Sequence, residues 1–175
     1  ITVLRNLQYL CAERTGPRDV YPSNNFFEYP NVGVHGENTP WVLHQFAEMM
    51  PLPSLLIERA TKNLQRQVEA WMQEFFPGLG LEVIPVAKTN LITLGLRMSD
   101  AENFHRPQNV GYGITHVLPI VTAGLSGNSK SILLIENPES HLHPRGQSLM
   151  GEFLARVAAS GVFTVVETHS DHVLN

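Results

Sequence analysis

The sequence predicts an α/β fold built on a mostly parallel sheet with flanking helices, and three observations lead there. SILLIE (131–136) and VFTVVE (162–167) are short runs with almost no polar residue, the pattern of strands covered on both faces. Between them, Met150, Phe153, Leu154, Val157 and Ala158 recur at helical spacing across 145–160, which makes that segment an amphipathic crossover and the whole a parallel βαβ unit. A second long helical pattern, at 54–76, adds a further layer.

In chain order, residues 2–10 predict a strand, and a polar connection containing Pro and Gly follows from about Glu13 to Pro40. A connection that long is expected to pack on a neighbour or to serve a site. A short helix is expected over 41–50, separated from the next by Pro51 and Pro53. Over 54–76, Leu56, Leu64, Val68, Trp71, Met72 and Phe75 keep helical spacing with Arg59, Lys62, Arg66 and Glu69 between them, until Pro77-Gly78 stops the run. LEVIPV (81–86) and LITLGLR (91–97) read as paired strands around a turn with Lys88 and Asn90. NVGYGITHVLPIVTAGL passes from a Gly-rich entry into an apolar helix, on which His116 is expected to be packed or at the surface. The βαβ unit comes next, Pro144 opening its helix, and DHVLN has the pattern of a first helical turn with Ser170 as its cap. A start at Ile1 and a stop in that turn are expected of a piece of a larger protein.

Composition narrows the function classes. The 175 residues suffice for one domain with a core, carry a net charge of −4 and contain no block of Lys or Arg that would announce nucleic acid as an obligate partner. Cys11 is alone, so no internal disulfide framework exists and a reducing, cytoplasmic setting is expected. No apolar run approaches the ~20 residues that span a bilayer, and the N-terminus lacks the pattern of a signal peptide.

The chemistry concentrates in IENPESHLHP (135–144). Ligands of parallel α/β sheets gather at the carboxyl ends of the strands, where Glu136 and Glu167 terminate the two runs and Glu167 leads into Thr168-His169-Ser170. A carboxylate fixed at a strand tip can orient Mg²⁺ or its water, and a polar neighbour can position an attacking water. Glu136, Glu139 and His169 are therefore expected in one crevice. His141 and His143, one residue apart, also fit a metal pattern beside these acids, or simply a turn that leads into a helix. Gly111 and Gly113 permit a tight turn before a helix, and Arg14 and Arg18 read as surface charge in a turn.

ILLIENPESHLHPRGQ and VVETHSDHVLN resemble the Walker B, D-loop and switch-histidine region of ABC-type ATPases. More narrowly they resemble AAA-family ATPases of the OLD and SMC-like group, whose pattern here is hhhhDEPExHLHP followed by THS. YLCAERTGPR (9–18) and FHRPQNVGYGITHVLPI (104–120) are similar to the same group. The resemblance implies that residues 1–175 are the C-terminal portion of one P-loop NTPase domain, with a helical insertion at about 41–76. It implies ATP and Mg²⁺ as cofactors, Glu136 near the ion, Asn137 where a catalytic Glu is expected, and His169 as the γ-phosphate switch. His143 and its turn would match the D-loop, and Asn109, Gly111 and Gly113 a degenerate signature motif facing the γ-phosphate. It also implies an ATP-closed homodimer and a DNA or effector-protein partner; for Arg14 and Arg18, a role near nucleotide or at a dimer contact stands beside the plain reading as surface charge.

Two departures stand against the pattern. Asn137 is not an acid and cannot be a general base, which leaves Glu139 for that task, slow hydrolysis, or an Asn that only orients water. No GxxxxGK[ST] occurs, and the nearest segment, Gly124 to Ser131, leads from a helix into a strand where a P-loop does the reverse. The cradle is thus expected before Ile1. Two competing functions stay open. One is a metal-dependent hydrolase using His141, His143, His169 and the carboxylates, and the other a non-catalytic interaction module on an ATPase fold.

Overall fold

In the computed structural model, residues 6–23, 28–99, 101–109 and 111–174 are described. Two three-stranded sheets share one core. The first is parallel, in the order β1 (Leu7–Leu10), β5 (Ile132–Glu136), β6 (Phe163–Glu167). The second is antiparallel, with β4 (Leu91–Arg97) between β2 (Tyr21–Pro22) and β3 (Gly80–Pro85). The expected strand at 2–10 is seen from Leu7, residues 2–5 lying outside the described part.

Five helices complete the described chain: α1 (Thr39–Gln45), α2 (Leu64–Phe75), α3 (Tyr112–Ser126), α4 (Pro144–Ala159) and the single turn α5 (Asp171–Leu174). Helix α3 is buried from Ile114 to Ser126 without a break and packs against α1, α2, α4 and the parallel sheet. An apolar surface all round is what a central helix requires. Gly124 lets α4 come close, because a Cβ there would stand 2.8 Å from the Phe153 ring. The Phe153 ring in turn meets Trp71 of α2 edge to face at 4.9 Å, joining three helices at one point.

Three expectations need correction. The helix expected over 54–76 begins only at Leu64, after a 3-10 turn at Pro53–Leu55 and an irregular stretch. The buried Gln67 amide satisfies this stretch in place of helical bonds, accepting from the Ile57 N–H and donating to the carbonyls of Ile57, Ala60 and Thr61. Asn63 then caps α2 by accepting from the Arg66 N–H. The helix expected at 41–50 lies at Thr39–Gln45, started by Pro40. Finally, the described residues cover the parallel sheet on one face only. Leu133 and Ile135 point into the core, whereas Tyr9, Val165 and Phe163 on the other face are 37%, 47% and 65% exposed.

The long connection earns its length by packing. Its backbone doubles back on itself through Cys11 N–H to Val34 O and Thr15 N–H to His35 O, and it delivers Arg14 to the carboxyl end of β5.

Candidate functional site at the carboxyl end of the parallel sheet

Strand β5 ends at Glu136, and the alternation that buries Leu133 and Ile135 turns Glu136 to the open face. Each carboxylate oxygen is engaged. The Tyr9 hydroxyl donates to Oε1 at 2.5 Å and the Ala12 N–H to Oε2 at 2.9 Å. These bonds, Tyr9's first, hold the Glu136 carboxyl below its usual range, with the Arg14 charge adding to them. The reciprocal effect pushes the Tyr9 hydroxyl up to about 12.

Arg14, expected at the surface, is 5% exposed. Its guanidinium donates to the carbonyls of Glu136 and Asn137, the second at 3.2 Å, and so braces the point where strand becomes turn. Burial lowers its pKa to about 10. Arg18 is exposed, and its N–H reaches the Tyr21 hydroxyl.

Asn137 stands in the left-handed region at φ +42, which Asn tolerates better than most residues, and its N–H extends the ladder to Glu167 O at 2.8 Å. Its side-chain Oδ1 is buried with no hydrogen-bond partner among the described residues. Glu139 reaches the end of β6, accepting from the Thr168 hydroxyl at 2.7 Å and the His169 N–H at 2.9 Å. Burial alone would raise its pKa, but these two bonds, together with its own backbone N–H and the charge of His169, lower it. A second staple runs through Gln147, whose Nε2 donates to Leu142 O while its Oε1 accepts from the Ser170 hydroxyl at 2.6 Å. Ser170 also caps α5 through the His172 N–H, as expected.

The structure therefore brings Glu136, Asn137, Glu139 and the backbone of His169 together, and the His169 side chain is exposed beside them. His143 is elsewhere in kind: it is the N-terminal cap position of α4, exposed, with no capping bond from its side chain. His141 adopts φ +62 and lays its ring 4.5 Å from that of His116. Burial, followed by the charges of His141 and Arg14, pushes His116 down to about 4. Gly113 opens α3 directly under this turn, where a Cβ would stand 3.1 Å from the His141 carbonyl oxygen. Gly111 holds φ +96 in open space. Asn109 closes a 3-10 turn at Pro107–Asn109; its side chain and the whole of Val110 lie outside the described residues.

Glu136 fits a magnesium ion held through water. Each of its oxygens keeps a lone pair beyond the bond it already accepts, and such an ion needs only one or two carboxylates when phosphates supply further oxygens. The histidines fit a transition metal less well. Among the described residues, no three His, Cys, Asp or Glu side chains form a group that could hold a metal, so the hydrolase alternative lacks a ligand set there. No described helix is long and apolar enough to cross a membrane. Tyr9 is the residue that sequence reasoning missed as a member of this site, and Arg14, weighed there for a role near nucleotide, enters it buried and bonded to the β5 end. The YLCAERTGPR stretch was the one signal pointing to them.

Comparison with known proteins follows the same line. The family described as "AAA domain, putative AbiEii toxin, Type IV TA system" matches residues 27–175. No curated protein matches the chain significantly. Among solved structures, the crystal structure of the SmcHead bound to the C-winged helix domain of ScpA superposes with a TM-score of 0.52 at 10% identity, which bears on fold alone. That alignment covers 81% of this chain and 40% of the SmcHead chain, so the chain spans well under half of that structure.

Proposed function

The chain belongs to this AAA-domain family, and on that premise we propose that it carries one side of an ATP site of the ABC type, related to the OLD and SMC-like ATPases. Residues 1–175 would be the C-terminal portion of the nucleotide-binding domain, with 41–76 an inserted helical layer and the phosphate cradle in the remainder of the fold. The observation that carries the reading is the strand tip. Glu136 lies at the carboxyl end of a parallel strand with His169 held at the next tip through Glu139.

Bound Mg²⁺ would neutralise charge on the phosphates, with Glu136 holding it through water. His169 would meet the γ-phosphate, Asn109, Gly111 and Gly113 would face the nucleotide held by a second copy, and the turn through His143 would cross to that copy. Closing the dimer on ATP and reopening it after hydrolysis would drive a DNA-directed or effector-protein activity. The binding test uses the full-length protein. Light scattering with and without Mg-ATP should show ATP-dependent dimers that His169→Ala weakens, and mass that ignores ATP would overturn the dimer reading.

Asn137 favours a second reading, a non-catalytic interaction module that keeps the ATPase fold and binds a partner instead. Turnover by the full-length wild-type protein excludes it.

A further inference from the structure

We infer that Glu167, and neither Asn137 nor Glu139, is the carboxylate that takes the proton from the water attacking ATP; this rests on the ATPase reading above. The ground is which strand-tip and turn carboxylates remain available. Glu136 accepts the Tyr9 hydroxyl on one oxygen and the Ala12 N–H on the other, and the lone pairs left over are the ones that suit the ion. Glu139 has both oxygens tied, to Thr168 and the His169 N–H, and serves as the staple between turn and strand. Asn137 has no basic oxygen to offer, and its amide oxygen is buried away from solvent.

Glu167 differs from all three. It ends β6 directly opposite Glu136 in the parallel ladder, so the two side chains leave the sheet on the same face. That face is the one α3 and α4 leave open. Its backbone is fixed, because its carbonyl accepts the Asn137 N–H at 2.8 Å, while its exposed carboxylate accepts no hydrogen bond from the described residues. An exposed carboxylate on a rigid strand end, beside the carboxylate that suits the ion and two residues before His169, is placed to receive a water proton.

In that step the water oxygen forms a bond to the γ-phosphorus as its proton passes to the Glu167 carboxylate. The bond from the γ-phosphorus to the β,γ-bridging oxygen breaks, and its electron pair leaves with ADP. Glu167 then returns the proton to phosphate or solvent, so ATP and water yield ADP, phosphate and a proton with no other reactant.

The test compares wild-type full-length protein with Glu167→Gln and Glu167→Asp, measuring Mg-ATP binding and turnover separately. Glu167→Gln should keep ATP affinity and the melting temperature while turnover falls roughly 100-fold or more. Glu167→Asp, which keeps the base but draws it back by one methylene, should fall between the two. Turnover by Glu167→Gln within about threefold of wild type overturns the inference and leaves the ATPase reading standing. Loss of turnover that excess Mg²⁺ restores makes Glu167 an ion ligand and likewise overturns it. A wild-type protein that neither binds nor hydrolyses ATP overturns both.

Discussion

Arg14 shows how far a single residue can depart from its sequence-level reading. A cation in a polar turn is normally solvated, yet this one is buried and gives its two terminal nitrogens to two carbonyls at the end of β5. Arg14→Gln, too short to span both, should lower stability by about 1–3 kcal/mol, read from the denaturation midpoint. His116 gives the pH-dependent counterpart. Its folded pKa of about 4 lies below the ordinary 6.5, so between those values the unfolded chain binds the extra proton. Stability should therefore rise with pH across that window and be lost on acidification, by roughly 1–3 kcal/mol. Denaturation at pH 5 and pH 7 checks it, and His116→Phe should flatten most of the difference because the ring remains and the titrating nitrogen does not. What could be read of the site from sequence was local: Glu136 and Glu139 follow four aliphatics in a fixed order. Tyr9 and Arg14 meet Glu136 across more than 120 residues, and no local spacing encodes such a meeting.

At the scale of elements, strong patterns became structure with ends shifted by a residue or two. The hairpin of β3 and β4, the buried α3 and the βαβ unit from β5 to β6 each have a pattern that only one element satisfies. The stretch before α2 failed because its apolar spacing was right and its backbone bonding was not. Loop groups at Ile57, Ala60 and Thr61 found the Gln67 amide instead of helical partners, a choice made by tertiary packing. Gln67→Leu keeps the volume and takes the partner from the Ile57 N–H and the Ala60 carbonyl, so it should cost about 1–3 kcal/mol in urea denaturation, with m unchanged. A loss below about 0.5 kcal/mol would mean that water serves the loop equally well.

For the whole molecule, one core joins a parallel sheet to an antiparallel one, and α3 runs through it from the Gly111 entry to Ser126. The parallel sheet shows apolar side chains on its open face and gathers its acids at the same end. The sequence pattern of β5 and β6 predicted cover on both faces, and these residues by themselves provide it on one. Fold class was legible because burial periodicity repeats over many residues, while the cover of the second face depends on contacts that strand pattern alone does not locate. The central claim is that the carboxyl end of this sheet is half of a nucleotide site organised by Glu136. It is tested most directly by steady-state Mg-ATP turnover of the full-length protein and its Glu136→Gln variant. The ATPase reading predicts that turnover falls by at least about tenfold with the fold intact, and equal rates in the two proteins would contradict it.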